Sequence, residues 1–260
     1  MDLLTLLFSN YFTFNIAAGS NPLSQFSVEK IFDLSIAGID ISFTNSALYM
    51  VLATLFVVIF MTLATSKKSL FPNRFQIIAE SIYNFVLNIV QTVIGDEGTK
   101  FFSLIFTLFT FILMCNLLGM TPYSFTATSQ IIITLSLALL SFAVITIFAI
   151  YRNGFIGFFK MFIPSGVPLW IAPLIFIIEF FSFLIRPVTL SVRLFANMVA
   201  GHVLLKVVAG FIISLGVIVG MLPFLFSVIM TGFEVFVAVL QAYIFAILVA
   251  AYLGEVTKSH

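Results

Sequence analysis

A single cysteine and a scarcity of charge set the first limits on this 260-residue chain. One thiol, Cys115, makes neither an internal disulfide nor a metal site, and its apolar surroundings read as those of a small buried hydrophobe. Lys, Arg, Asp and Glu together make up only 8% of the residues, against roughly a quarter in globular proteins. The 11 basic and 10 acidic residues leave a net charge of +1, which provides no basic field for nucleic acid and no acidic field for a cationic substrate. No GxxxxGK[ST] phosphate loop occurs, so ATP chemistry is not expected on this chain. Lys and Arg are absent before Lys30, and an acid stands at Asp2, so the start lacks the marks of a secretory signal or a transit peptide. The expectation is a protein that reaches its membrane without a cleaved address, in a bacterial inner membrane or an organelle.

Apolar residues are what the chain has in abundance. Hydrophobic residues reach 62%, 34 of them Phe, and the mean hydropathy is +1.24. This composition specifies an integral membrane protein, expected as one membrane domain over 1–260. The stretch 45–65 is long enough at 1.5 Å per residue for a ~30 Å hydrocarbon core, and 101–120 and 128–150 form a second and third span joined by an uncharged turn. Lys67, Lys68 and Arg74 follow the first span, and Arg152 and Lys160 follow the third. The positive-inside rule puts these on the cytoplasmic or matrix side, leaving the N-terminal segment with Asp2, Glu29, Asp33 and Asp40 outside. Between 72 and 94 apolar positions recur at helical spacing opposite Arg74, Gln76, Glu80, Asn84, Asn88 and Gln91. That segment reads as an interfacial amphipathic helix, or alternatively as a helix packed on another subunit.

Six ionisable side chains interrupt the apolar stretch between Pro164 and Gly254: Glu179, Arg186, Arg193, His202, Lys206 and Glu234. A charge at the centre of a membrane helix costs roughly 2.5 to 3.5 kcal/mol on insertion scales, so such groups mark ion or proton pathways. Two topologies compete for this region. In one, RPVTLSVR is a surface loop after a short span; in the other, 165–215 and 217–257 form a hairpin of two long, strongly tilted helices, with Pro187 inside the first. Glu179, Arg186, Arg193 and Asn197 follow steps of seven, seven and four, which bring all four within ~40° on a helix. Glu234 and Gln241 align in the same way. In the hairpin, His202 lies ~13 Å beyond Arg193 and Glu234 ~10 Å beyond Gln241, so the two pairs match in level. His202 and Glu234 would then form a titratable couple on the outer side, Arg193 a fixed cation near the middle, and Glu179 a carboxylate on the opposite side of the barrier. Arg does not lose its charge, so it interrupts a continuous proton wire. Arg186 reads as a partner of Glu179 seven residues away, and Lys206 as a side chain that snorkels to the outer surface.

The runs RPVTLSVRLFANMVAGH, LQAYIFAILVAAYL, NPLSQF and NLLGMTPYSF closely resemble subunit a of rotary ATP synthases, in particular the mitochondrial and alphaproteobacterial branch. The resemblance implies an all-α integral membrane protein with perpendicular spans, an interfacial helix and the tilted hairpin. It also implies a proton-translocating subunit that is not itself an enzyme and carries no cofactor. Arg193 would face the carboxylates of a rotating c-ring, with Asn197 and Gln241 as polar neighbours. His202 and Glu234 would serve the outer access channel, Asn116 would line it, and Glu179 would serve the inner channel. The c-ring, peripheral-stalk and other membrane-sector subunits, lipid and protons are the implied partners, in the mitochondrial inner membrane or an alphaproteobacterial inner membrane. One departure stands out: Gly119 occupies a place where certain bacterial members carry an acid.

Overall fold

In a computed structural model, the described residues are 25–33, 35–36, 39–40, 42–66, 73–121, 124–163, 168 and 170–258. Asp2, Lys67, Lys68, Pro164 and most of the NPLSQF run lie outside them. The helices are α1 (Asn45–Thr65), α2 (Arg74–Val93), α3 (Phe102–Gly119), α4 (Ile131–Lys160), α5 (Ala172–Ser214), the single turn α6 (Gly216–Val219) and α7 (Met221–Lys258). Five of them, α1, α3, α4, α5 and α7, are long and apolar enough to cross a membrane. The chain is an all-α, multi-pass integral membrane protein.

Ahead of α1 the chain folds into two short antiparallel pairs that the apolar pattern does not announce. Strand β1 (Lys30–Phe32) pairs with β4 (Phe43–Thr44), and β2 (Ser35–Ile36) pairs with β3 (Ile39–Asp40). Asn45 ties this ribbon to the membrane helix. Its side-chain nitrogen donates to the Ser27 carbonyl at 3.1 Å, and its backbone nitrogen donates to that of Glu29 at 3.0 Å. Thr44 caps α1 by accepting from the Ala47 backbone at 3.3 Å, which satisfies one of the free N–H groups of the first turn.

Helix α2 is not among the five long apolar helices. It buries Ala79, Val86, Ile89 and Val90 against α3 and α7, while Phe75, Ile78 and Phe85 from the same apolar side remain exposed. The buried stripe is thus narrower than the whole apolar face. A 3-10 helix, Asp96–Phe101, leads into α3, and Arg152 of α4 returns to pair with Glu97 through two guanidinium nitrogens. Helix α4 continues past residue 150 to Lys160, but bends at Gly154, where φ is 69°. That value suits a residue without a Cβ, so Asn153-Gly154 redirects the chain without ending its hydrogen bonding.

Helix α5 is continuous over 43 residues with Pro187 inside it, which excludes the surface-loop reading of RPVTLSVR. At 1.5 Å per residue it measures about 64 Å, about twice the hydrocarbon thickness. Gly216, with φ of 72°, starts the turn that sends the chain back along α7. Ala238, Ala242, Ala246, Ala250 and Gly254 recur every four residues on α7, forming a buried stripe of small side chains. Backbones approach closely along such a stripe. A Cβ added at Gly254 would lie 3.0 Å from the Val93 carbonyl oxygen of α2. Asn116 on α3 spans the α3–α7 contact, donating to the Ala238 carbonyl at 3.2 Å and accepting from the Thr128 hydroxyl at 2.7 Å.

Candidate functional site

Helices α5 and α7 run antiparallel, and their polar side chains meet in three rungs. At the rung nearest the α5–α7 turn, His202 Nδ1 lies 3.6 Å from Glu234 Oε1. In the middle, Asn197 donates to Gln241 Oε1 at 3.0 Å. At the rung nearest the C-terminus, Arg186 binds Glu255 at 2.7 Å, with its guanidinium 4.4 Å from the centre of the Tyr252 ring. Five residues of α5 separate the first two rungs, ~7 Å of helix, and eleven separate the second from the third, ~16 Å.

The His202 rung is the most enclosed. The Glu234 side chain is 6% exposed, and neither of its oxygens has a hydrogen-bond partner among the described residues. A buried carboxylate in that condition is costly unless it takes a proton, a neighbouring cation or water. The imidazole supplies the neighbour, and on its far side Nε2 is 2.9 Å from the Thr126 hydroxyl. Gly201 makes room for the carboxylate: a Cβ there would stand 2.6 Å from Glu234 Oε1. Gly119 makes room for Thr126 in the same way, since a Cβ at 119 would be 2.6 Å from Thr126 Oγ1. A side chain at position 119 therefore has no space unless Thr126 moves. Gln241 in the middle rung is fully buried, and its Nε2 has no partner among the described residues.

Arg193 differs from all of these. It is exposed on α5, and no carboxylate pairs with it among the described residues. Elsewhere along the same two helices Ile185, Val188 and Val192 are exposed on α5, and Val235, Phe236 and Val239 on α7. The whole first half of α7 is exposed at most positions, whereas from Gln241 to Thr257 only Glu255 is. A guanidinium on a membrane helix with no carboxylate partner among the described residues carries a charge that calls for a counterpart.

The family model described as ATP synthase A chain matches residues 47–254. The chain belongs to that family. It is a proton-translocating subunit of the ATP synthase membrane sector, and the catalytic work of the complex lies on other chains.

Against this identity, the expected site residues separate into those brought together and those left apart. His202 meets Glu234, Asn197 meets Gln241, and Asn116 bridges α3 and α7. Glu179 is half-buried but makes no ion pair among the described residues, and Lys206 is half-buried four residues beyond His202. The pairing expected between Arg186 and Glu179 is replaced by Arg186 with Glu255. The physical reason is direction: two side chains seven apart lie two turns from each other on one helix, whereas α7 brings a carboxylate alongside. Glu255 was legible by the rule that aligned Glu234 with Gln241, since two further steps of seven along α7 reach it. Thr126 had no such signal, because a turn hydroxyl acquires its partner only when α5 packs against it.

Proposed function

We propose that this chain is the stator side of a proton-driven rotary motor, with two offset half-channels separated by Arg193. The observation that carries the reading is the exposed Arg193, without a carboxylate partner among the described residues and set along α5 between the buried His202–Glu234 couple on one side and Glu179 on the other. Protons would arrive from the outer side through Glu234 and His202, with Asn116 lining the approach. They would neutralise a carboxylate on the c-ring and leave past Glu179 after the ring has turned. Arg193 attracts the ionised ring carboxylate as it passes and blocks direct leakage, because its own proton does not come off. The Asn197–Gln241 bond holds polar groups beside it without adding a charge. Lys206 reaches toward the outer surface, and Arg186 holds the inner parts of α5 and α7 together.

In this reading α5 and α7 are strongly tilted in the membrane and α2 lies along its inner surface. The N-terminus is outside and the C-terminus on the matrix or cytoplasmic side. The c-ring covers the face around Arg193, and peripheral-stalk and other membrane-sector subunits share the remaining lipid-facing helices. The setting is the mitochondrial inner membrane, or an alphaproteobacterial inner membrane, by the branch to which the Arg-centred run is most similar. Each proton crossing yields about 2.3 kcal/mol per 100 mV. Replacing Arg193 by Ala in the complete complex is expected to abolish proton-driven ATP synthesis, and synthesis at the unmodified rate would refute the proposal.

A further inference from the structure

We infer that Thr126 is a positioning residue that fixes the tautomer of His202, so that the ring nitrogen facing Glu234 is the one that takes and returns the proton. The inference rests on the outer half-channel proposed above. Thr126 Oγ1 lies 3.1 Å from the Gly119 carbonyl oxygen and 2.9 Å from His202 Nε2. A hydroxyl has one hydrogen, and a carbonyl oxygen can only accept. Ser124 Oγ also approaches the Gly119 carbonyl, at 2.9 Å, but its shorter contact is to the Thr121 carbonyl at 2.6 Å, which takes its one hydrogen. With the Thr126 hydrogen on Gly119, the hydroxyl oxygen accepts from Nε2–H, and the neutral ring is left with its lone pair on Nδ1.

Nδ1 is the atom turned to Glu234 Oε1, at 3.6 Å. One proton then belongs to the pair: it sits on the carboxylic acid opposite a neutral ring, or on the imidazolium opposite a carboxylate. In the transfer the O–H bond breaks, its electron pair stays on the carboxylate, and the Nδ1 lone pair forms the new N–H bond. The gap exceeds a hydrogen bond, so transfer needs a closure of about 0.7 Å or one bridging water. If the tautomer were reversed, the neutral ring would already hold a hydrogen on the side facing Glu234 and could not accept there.

The groups facing His202 leave few rivals for this control. Helix α7 presents Glu234, and the Phe26 ring lies with its centre 6.3 Å from that of the imidazole, the Phe26 carbonyl accepting from Gln130 Nε2 at 2.8 Å. Lys206 lies one turn along α5, and residues 102–150 of α3 and α4 contain no Asp, Glu, Lys, Arg or His. The control is thus assigned to a neutral hydroxyl.

The test uses the complete ATP synthase in proteoliposomes, with outer and inner pH varied separately while proton-driven ATP synthesis is measured. In Thr126→Val the rate is expected to fall about five-fold and the outer-side midpoint to move by about 0.7 pH unit, the scale of one lost hydrogen bond. The inner-side profile stays in place, and Thr126→Ser restores both rate and midpoint. Thr126→Ala is used if the valine variant fails to assemble, with the same shift expected. A hydroxyl-less variant with an unshifted outer profile overturns the inference, whether its rate is normal or uniformly lowered. Glu234→Gln in parallel separates the two readings. If it is inactive while the hydroxyl-less variant is unshifted, only the role of Thr126 falls; if it is fully active, the outer half-channel itself falls, and the inference with it.

Discussion

Replacing Gly201 by Ala places one methyl group directly against the Glu234 carboxylate. The added Cβ would stand 2.6 Å from Glu234 Oε1, 3.1 Å from its Cδ and 3.3 Å from its Cγ. Ordinary contact begins at about 3.5 Å, so the carboxylate has to withdraw by close to 1 Å. Glu234 is buried, and forced side-chain movement in a packed site costs about 1 to 3 kcal/mol. On the helix itself the change is favourable by about 0.8 to 1.0 kcal/mol, because Ala loses less backbone freedom than Gly. The two effects offset each other in folding, so the complex should assemble, and the displacement should appear as function. At 1.36 kcal/mol per tenfold, proton-driven ATP synthesis should fall about 5- to 160-fold at equal complex content. Gly210→Ala on the same helix meets nothing within 4 Å and serves as the control, with unchanged synthesis expected. Undiminished synthesis in Gly201→Ala would refute the claim that the position of this carboxylate limits proton delivery.

Three further outcomes follow from the packing. Glu255→Gln should lower the thermal stability of the isolated complex by a few degrees at most, since the Glu255 side chain is 54% exposed and such pairs contribute about 0.2 to 1 kcal/mol; proton-driven synthesis at permissive temperature should be retained. Asn116→Leu removes the partner of the Ala238 carbonyl and of the Thr128 hydroxyl, costing about 1 to 3 kcal/mol, and should reduce the amount of assembled complex in membranes. Gly254→Val pushes a branched side chain against the Val93 backbone, which unlike a flexible side-chain end cannot swing aside, and should deplete the subunit from membranes on immunoblots.

Much of this architecture was legible because membrane helices announce themselves by length and apolarity. The long continuous α5 was read from the register of Glu179, Arg186, Arg193 and Asn197, a pattern with no purpose in a loop. His202 and Glu234 were paired from matched levels on two helices, and they meet across α5 and α7. What escaped depends on tertiary approach. The ribbon before α1 is too short to show alternation, and the extension of α4 past Arg152 depends on a bend that Gly154 alone accommodates. The stripe from Ala238 to Gly254 was present in the sequence, but small residues carry weak signals beside charges in a membrane span. Arg186 was assigned a partner on its own helix although the seven-residue register of Glu234 and Gln241 extends to Glu255, sixty-nine positions away, because only the packing of α7 on α5 brings that carboxylate alongside.

The central claim is that Arg193 faces the carboxylates of the c-ring and keeps the two half-channels apart. A structure of the complete ATP synthase with its ring in place tests this most directly. The account predicts the Arg193 guanidinium on the ring-facing side of α5, within about 4 Å of a ring carboxylate or joined to it by a single water. An Arg193 turned to lipid, or paired with a carboxylate of this chain, would contradict it.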